Sequence, residues 1–529
     1  MANKRRSLFL IPSLVLFSAL VGGMYGPRLE VASAATTDDD VANSAKTFTK
    51  VYQTVEENFA DPVNADKSIY NGAIPGMLHT LDPHSNFFDP KALEAMREEQ
   101  RGHYYGVGMS VRGINGKTVV VYPFVGSPAY KAGLRPGDTI IDVNDTPTDN
   151  LDSTKVADLL KGPKGTKVEI KAAREGNDQP LVFSIIRDEI ERKSVPDAFM
   201  LKPGIGYIKL EQFIETSGHE VDEALKALDE PHLKGLVLDL RDNPGGLLNE
   251  AVSIADHFLP KGAVIVSHKG RASAEHVYTA RTGNHGYEYP IVVLVNRNSA
   301  SASEIVSGAL QDHDRAWILG DNTFGKGLVQ TVYPLKEDTG LALTTAKYYT
   351  PSGRLIQRDY SNTSFFDYYY RSNTAARNSA DVKMTDGGRT VYGGGGISPD
   401  EKYTPAKLDN FEAQLLIKFE LDSYPHHFFA THKTQLPTGW DVDTATMDDF
   451  HQYLIDQKLE FSEADFTKDY DWIRHRLQGQ IYQTAFNVDE SSKYLLKTDP
   501  EVLQAIDAMP KAQALVASAQ KIVVERMRK

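Results

Sequence analysis

No cysteine occurs anywhere in the sequence. Disulfides, thiolate nucleophiles and cysteine-bound metals are excluded, and an exported chain of this length must be stable on its core alone. Positive charge is also in short supply. Lys and Arg number 58 against 71 Asp and Glu, a net charge of -13, which argues against a nucleic-acid binder built on phosphate contacts. The rest is ordinary globular material, 41% hydrophobic and 24% charged. A chain of 529 residues is enough for roughly three or four domains with sizeable cores.

Two further absences narrow the chemistry. Residues 320–327, GDNTFGKG, come close to the phosphate loop G-x-x-x-x-G-K-[ST], but Gly327 stands where a hydroxyl must hold Mg²⁺. That loop must also open a helix, whereas Leu328 to Tyr333 is strand-like and Pro334 ends it. A nucleotide hydrolase is therefore disfavoured. The chain also lacks a histidine with a legible orienting partner near its serine-rich stretch. His285 sits in a Gly-rich loop and His313 at a helix C-terminus, and both read as surface residues.

The N-terminus reads as a targeting segment. Lys4, Arg5 and Arg6 precede an apolar run from Leu8 to Tyr25, followed by the cleavage-like Val31-Ala32-Ser33-Ala34-Ala35. The run is long for a signal peptide and just sufficient for a span. Residues 1–35 are expected to be a signal peptide or a retained anchor touching the membrane. The basic residues keep the N-terminus inside and send the remainder to the extracytoplasmic or periplasmic side.

Residues 36–101 read as helical, with Phe48, Val51, Tyr52, Val55 and Phe59 at helical spacing for packing or dimerisation. A second helix is expected from Ile69 to Thr80, broken by Leu81-Asp82-Pro83-His84-Ser85, and a third from Pro90 to Arg101. Residues 102–190 form short β-rich runs separated by turns at Gly126-Ser127-Pro128 and Arg135-Pro136-Gly137-Asp138, with a short helix from Thr154 to Leu160. Residues 191–398 alternate strands and helices, which implies a parallel sheet, and 361–398 within them read as loop or linker. Residues 399–529 are mostly helical, and no catalytic pattern stands out there.

One strand-to-helix junction carries the chemistry. After the buried strand Pro290 to Val295 comes Asn296-Arg297-Asn298-Ser299-Ala300-Ser301-Ala302-Ser303-Glu304, then a helix. On local pattern alone, Ser301-x-x-Glu304 is a capping box. A serine there is also placed for nucleophilic attack, because helix N–H groups favour developing negative charge. Without a histidine the base must be something else, and a lysine of lowered pKa is the known alternative. Lys326 lies between glycines, so it can approach another backbone closely. In an apolar setting its pKa falls from about 10.4. On a strand alternate residues share a face, so Lys326, Leu328 and Gln330 are expected to point the same way, and Gln330 can hold the lysine nitrogen. Read singly, Lys326 is a solvated turn residue and Gln330 an exposed strand residue.

Taken together, these residues resemble the C-terminal processing peptidases, or tail-specific proteases, serine endopeptidases of the S41 group. The matching stretches are Gly76-Met77-Leu78 through Ser85, the region around Gly106-Val107-Gly108, Asp239 to Gly246, Ser299 to Glu304, and Phe324-Gly325-Lys326-Gly327 with Gln330. The resemblance implies a multidomain α/β architecture: N-terminal helices, an inserted, mostly β PDZ domain at 102–190, a crotonase- or ClpP-like core with a parallel sheet, and a helical C-terminal region. It selects Ser301 over Ser299 and Ser303 as nucleophile, Lys326 as base and Gln330 as third member. It implies an oxyanion hole from the N–H of Ala302 and of Gly245 or Gly246. It makes Gly106-Val107-Gly108-Met109 the loop that receives a substrate's C-terminal carboxylate while the tail adds as a strand. No metal, nucleotide or other cofactor is implied. The expected partners are protein or peptide tails and a second copy of the chain. The C-terminal region is expected to oligomerise, to dock an adaptor, or to pack over the core. The rival reading is a non-catalytic PDZ scaffold.

Overall fold

The computed structural model describes residues 38–336, 338–361, 363–370, 378–432, 436–437 and 439–527. The leader read at 1–35 lies outside the described residues. No helix among the described residues is long and apolar enough to cross a membrane.

Helix α1 (Asp38–Asn58) carries the expected stripe, and Phe48, Val51 and Val55, with Phe59 just beyond it, remain exposed. Helix α2 (Pro90–Arg101) has the predicted bounds. Asp89 accepts the Ala92 N–H, Pro90 opens the first turn, and Gly102 at φ 74° ends it. The next unit is an antiparallel sheet of β1 (Met109–Ile114), β2 (Lys117–Pro123), β3 (Thr139–Val143), β4 (Lys167–Ala173) and β5 (Leu181–Ile186), with α3 (Ser153–Leu160) against it. Val120, Ile140, Val143, Val156, Val168 and Ile170 form its core. In this sheet β1 is hydrogen-bonded to β2 alone and is therefore an edge strand.

The central sheet runs β6 (Ala198–Lys202), β7 (Ile205–Lys209), β8 (Gly235–Asp239), β9 (Ile291–Val295) and β10 (Ala316–Gly320). Beyond the hairpin β11 (Leu328–Pro334) and β12 (Gly340–Tyr349), β13 (Glu401–Lys402) joins its far edge. From β7 to β13 every pairing is parallel, with Val237 opposite Tyr207 and Val292. Every residue of β8 and β9 is buried, as strands covered on both faces require.

Alternation assigns the two faces. Leu236, Leu238, Ile291 and Val293 pack on α4 (Ser217–Ala227), α5 (Leu248–Phe258) and α6 (Ala302–Asp312). Tyr207, Val237, Val292, Leu294 and Leu319 face the other way, where the last helices of the described chain cover them. Residues 361–398 contain α7 (Phe365–Tyr370) and a hairpin of Asn378–Met384 with Thr390–Gly393. Their polar composition reads as linker, but Gly388 at φ 84° makes the hairpin turn and the α7 aromatics find partners far away in sequence. Finally α8 (Pro500–Asp507) and α9 (Met509–Met527) lay Val502, Ala505, Met509 and Ala512 on the second face of the central sheet. Of the three roles open to the C-terminal region, packing over the core is realised by these helices. The helices between residues 410 and 485 have a core of their own.

Val502→Asp is expected to destabilise the whole central sheet by roughly 4 kcal/mol or more, since it buries an unpaired charge. Chemical denaturation followed by tryptophan fluorescence checks this. A loss below about 1 kcal/mol would mean that α8 is not part of the core.

Candidate active site

Three consecutive parallel strands deliver the site. Their C-terminal ends lead into Arg241 to Gly246 after β8, Asn296 to Ser301 after β9, and Asp321 to Gly327 after β10. The carboxyl ends of parallel strands are where open α/β sheets bind ligands.

Ser301 stands at the mouth of α6 with φ 54° and ψ -111°. An L-residue is strained there, and such strain is characteristic of a sharp strand-to-helix turn that presents a nucleophile. The capping-box pattern is present, with Glu304 accepting the Ser301 N–H at 2.8 Å, yet the Ser301 hydroxyl makes no well-formed bond to the helix N–H groups. The rival serines are spent on structure. Ser299 Oγ donates to the Leu240 carbonyl (2.8 Å) and Ser303 Oγ to the Asn243 carbonyl (2.9 Å), and both residues are buried. His313 is not the surface residue expected. Its Nδ1 lies 2.7 Å from Asp386 and its Nε2 2.7 Å from the Val264 carbonyl, so both nitrogens are occupied.

The Glu304 carboxylate ties two loops together. Its Oε2 accepts the N–H of Ser301 and the N–H of Lys326, each at 2.8 Å, so these amide nitrogens lie within twice that distance of one another. Its Oε1 accepts the Gly325 N–H at 2.7 Å and the Thr323 hydroxyl. Residues 320–327 thus do cradle an anion, as a nest of N–H groups should. The anion is the chain's own side chain. Burial pushes the Glu304 carboxyl up to about 7, against the pull of the four donors. Tyr348 completes the clamp from β12: its Oη reaches the carbonyl oxygens of Ser301 (3.1 Å) and Lys326.

Lys326 lies in the loop before β11, which starts at Leu328, so strand alternation does not extend from Gln330 to it. This corrects the shared-face expectation. Gly325 at φ 88° and the bonds to Glu304 aim the lysine instead. Burial lowers its pKa, opposed by the carboxylates of Glu304 and Asp82. Gln330 donates Nε2 to Thr344 Oγ1 at 3.2 Å, which leaves its carbonyl oxygen to accept. Thr344 in turn donates its N–H to Ser85 Oγ (3.1 Å), and Ser85 donates to Asp82 (2.7 Å).

Asp82, His84 and Ser85 therefore belong to this region; the sequence reads them as a helix break within a stretch that carries the family resemblance, and assigns them no role in the site. The signal was there: Asp82 accepts the N–H of His84 and of Ser85, the turn an Asx residue builds. His84 is wedged against Tyr368 (2.9 Å) and Tyr369 (3.2 Å) of α7. Burial, and then the charges of Lys326 and Arg358, hold its imidazole well below its ordinary value, hence neutral. Arg358 stacks on Phe324 and Tyr368, 3.7 and 4.3 Å from their ring centroids.

The turn after β8 faces Ser301. A Cβ on Gly245 would stand 2.8 Å from Ser301 Cβ and 2.9 Å from the Ala302 nitrogen, and its φ is 99°. The Gly245 N–H is already donated to Asn243 Oδ1 at 2.8 Å. Among the described residues, the N–H groups of Ala302 and Gly246 have no hydrogen-bond partner.

The loop Gly106-Val107-Gly108-Met109 leads into edge strand β1. Its carbonyls turn inward: Val107 accepts the Ala129 N–H and Gly108 the Phe124 N–H and the Ser127 hydroxyl. A Cβ on Gly108, at φ 77°, would meet Ser127 Cβ at 2.5 Å. The N–H groups of Val107 and Gly108 have no partner among the described residues. They border a cavity of about 1860 Å³ that also touches Leu160 of α3, Phe429 and Phe486 of the C-terminal helices, and Gln212. Ser301 and Lys326 do not line it, but Phe213, next to Gln212, bridges to Gly246.

The sequence matches the profile of Peptidase family S41 over residues 204–361 and that of the PDZ domain over 119–174. A carboxy-terminal-processing protease of Bartonella bacilliformis is 39% identical over 361 residues, covering 67% of this chain and 80% of that protein. A carboxyl-terminal-processing protease of Synechocystis sp. is 39% identical over 295 residues, 54% of this chain and 68% of that protein. Among solved structures, the photosystem II D1 C-terminal processing protease is 28% identical, with a TM-score of 0.36, and the match covers 69% of this chain and 89% of that one. The rival reading of a scaffold without catalysis falls with this kinship. The chain belongs to the carboxy-terminal-processing proteases, serine-type peptidases of family S41, and carries a PDZ domain.

Proposed function

We propose that Ser301 is the nucleophile and Lys326 its general base, in an exported endopeptidase that grips protein substrates by their C-terminal tails. The carrying observation is the shared carboxylate. Glu304 Oε2 binds the N–H of both residues, beside the one serine of the three whose hydroxyl donates to no backbone carbonyl among the described residues.

Neutral Lys326 Nζ takes the proton as Ser301 Oγ attacks the peptide carbonyl carbon. The oxyanion receives the N–H of Ala302 and of Gly246, since the Gly245 N–H is engaged by Asn243. The C–N bond breaks, and the leaving amine takes the proton back from Lys326. Water then attacks the acyl ester, giving a proton to Lys326; the ester C–O bond breaks to release the carboxyl product, and Lys326 returns the proton to Ser301 Oγ. The Gln330 carbonyl oxygen accepts from the lysine ammonium between these steps. The tail's carboxylate is held by the N–H groups of Val107 and Gly108, and its backbone extends β1. The cavity then leads the chain toward Gln212 and the turn of Gly245 and Gly246.

Ser301→Ala and Lys326→Ala are each expected to reduce kcat on a tail peptide by about a thousandfold or more. Because burial lowers the Lys326 pKa, the neutral base persists to lower pH than a free lysine allows. It is lost as pH falls through that lowered value. The profile of kcat/KM should therefore drop on the acid side, and a flat profile from pH 5 to 9 would remove a lysine base.

Amidating the substrate's C-terminus is expected to raise KM by about tenfold, the loss of one charge-assisted hydrogen-bonded group. Equal KM for acid and amide peptides would remove the carboxylate role of Val107 and Gly108.

Export and self-association are read from the leader and from the exposed Phe48, Val51 and Val55 of α1. Fractionated cells should hold the protein outside the cytoplasm, and light scattering of that fraction should give more than one chain. Phe48→Glu with Val55→Glu should return a single chain. Recovery in the cytoplasm, or an unchanged mass in that variant, would contradict the respective reading.

A further inference from the structure

Arg241 opens the turn that faces Ser301, and its guanidinium is surrounded by carboxylates. Nε and Nη2 lie 3.0 and 2.7 Å from Asp239, at the end of β8. Nη1 donates to Asp499 Oδ2 and Glu501 Oε2, both at 2.9 Å. These two residues lie at the N-terminus of α8, about half the chain away in sequence. The Arg241 side chain is 14% exposed and that of Glu501 10%.

Asp499 divides its work between two oxygens. Its Oδ1 caps α8 by accepting the Glu501 N–H at 2.8 Å, while Oδ2 serves Arg241. Glu501 also touches a second loop. A Cβ on Gly320, where the Lys326 loop begins, would stand 3.0 Å from Glu501 Oε1. One helix terminus thus borders the roots of both loops.

Stability alone does not require this arrangement. Asp239 already pairs with Arg241, and Lys209 Nζ lies 3.4 Å from Asp239 and 2.6 Å from the Arg241 carbonyl. Adding Asp499 and Glu501 leaves three acids against two bases in a largely buried place, a costly excess. The geometric gain is a guanidinium fixed from two sides by charge-assisted bonds. The restraint passes two residues along to Asn243, whose side chain takes the Gly245 N–H at 2.8 Å. Its carbonyl takes the Ala300 N–H at 3.0 Å, immediately before Ser301.

We propose that Asp499 and Glu501 are positioning residues for peptide hydrolysis: from the C-terminal helices they hold Arg241, and through it the Gly245-Gly246 turn, in register with Ser301. This rests on the reading of Ser301 and Gly246 given above. The C-terminal region is then a working part of the active site, acting through contacts that touch no substrate.

The test uses the full chain carrying Asp499→Asn with Glu501→Gln. Asn keeps the capping oxygen and sets an amide donor toward Arg241. Expected is a fall in kcat of about tenfold to a hundredfold, the effect of a small displacement of reacting groups, with KM within about twofold. Affinity for a peptidyl boronate, which bonds Ser301 and occupies the oxyanion site, should fall by the same factor. In an Arg241→Met background the double substitution should cause no further loss. An unchanged kcat, a change confined to KM, or a full second loss on Arg241→Met overturns the proposal. If the double variant does not fold, Glu501→Gln alone carries the same measurements, and a kcat within about twofold of wild type overturns it. Ser301→Ala is assayed alongside: if it keeps full activity, the reading of the site has failed, and not the positioning alone.

Discussion

The Glu304 carboxylate is the constraint on which the site depends. It is buried, and each of its oxygens accepts two donors, those of Oε2 coming from different loops. Taking a carboxylate out of water is costly unless it is fully hydrogen-bonded, and here every bond comes from a segment that must be placed. The N–H groups of Ser301 and Lys326 are anchored by the same atom. The strained backbone of Ser301 is over-determined by this carboxylate below and by Tyr348 beside it.

Around that centre, the site is assembled from both ends of the described chain. The central sheet brings three loops to one edge. The turn at Asp82 to Ser85 comes from the N-terminal helices and reaches Gln330 through Thr344. Helix α8 comes from the C-terminal end and grips Arg241. Helix α7, from a stretch that looks like linker, seals His84 and Arg358 with tyrosines. The glycine loop proposed to hold a tail sits apart, before the edge strand β1. The cavity beside that loop is walled partly by the C-terminal helices and reaches Gln212, whose neighbour Phe213 bridges to Gly246.

Much of this was legible in the sequence because the signals are local. The buried runs at Gly235–Asp239 and Ile291–Val295, the helix Pro90–Arg101 with its cap, and the strand after Lys326 all follow from periodicity and from Pro and Gly at the ends. The failure of the phosphate-loop reading was also visible, since Gly327 replaces the hydroxyl and no helix follows. What did not show were partners separated by long stretches of chain. Asp82 and Ser85 looked like a helix break, Tyr348 like any strand tyrosine, and Glu304 like a cap for its own helix. The hairpin after α7 was hidden by polar composition.

By itself, then, the sequence determined the elements and their order: an antiparallel β unit ahead of an alternating α/β unit, with serine, lysine and glycine turns at the ends of particular strands. These follow from short-range sterics and from a hydrophobic period of two or 3.6 residues. The tertiary structure decided which polar groups remain free. Among the described residues it spent Ser299 and Ser303 on backbone carbonyls, gave the Ser301 hydroxyl no such acceptor, and took up the Gly245 N–H but not that of Gly246. It also placed α8 and α9 on the second face of the sheet. Such choices belong to the fold because a polar group's fate depends on which donors, acceptors and charges remain when water is removed. Those neighbours come from everywhere along the chain.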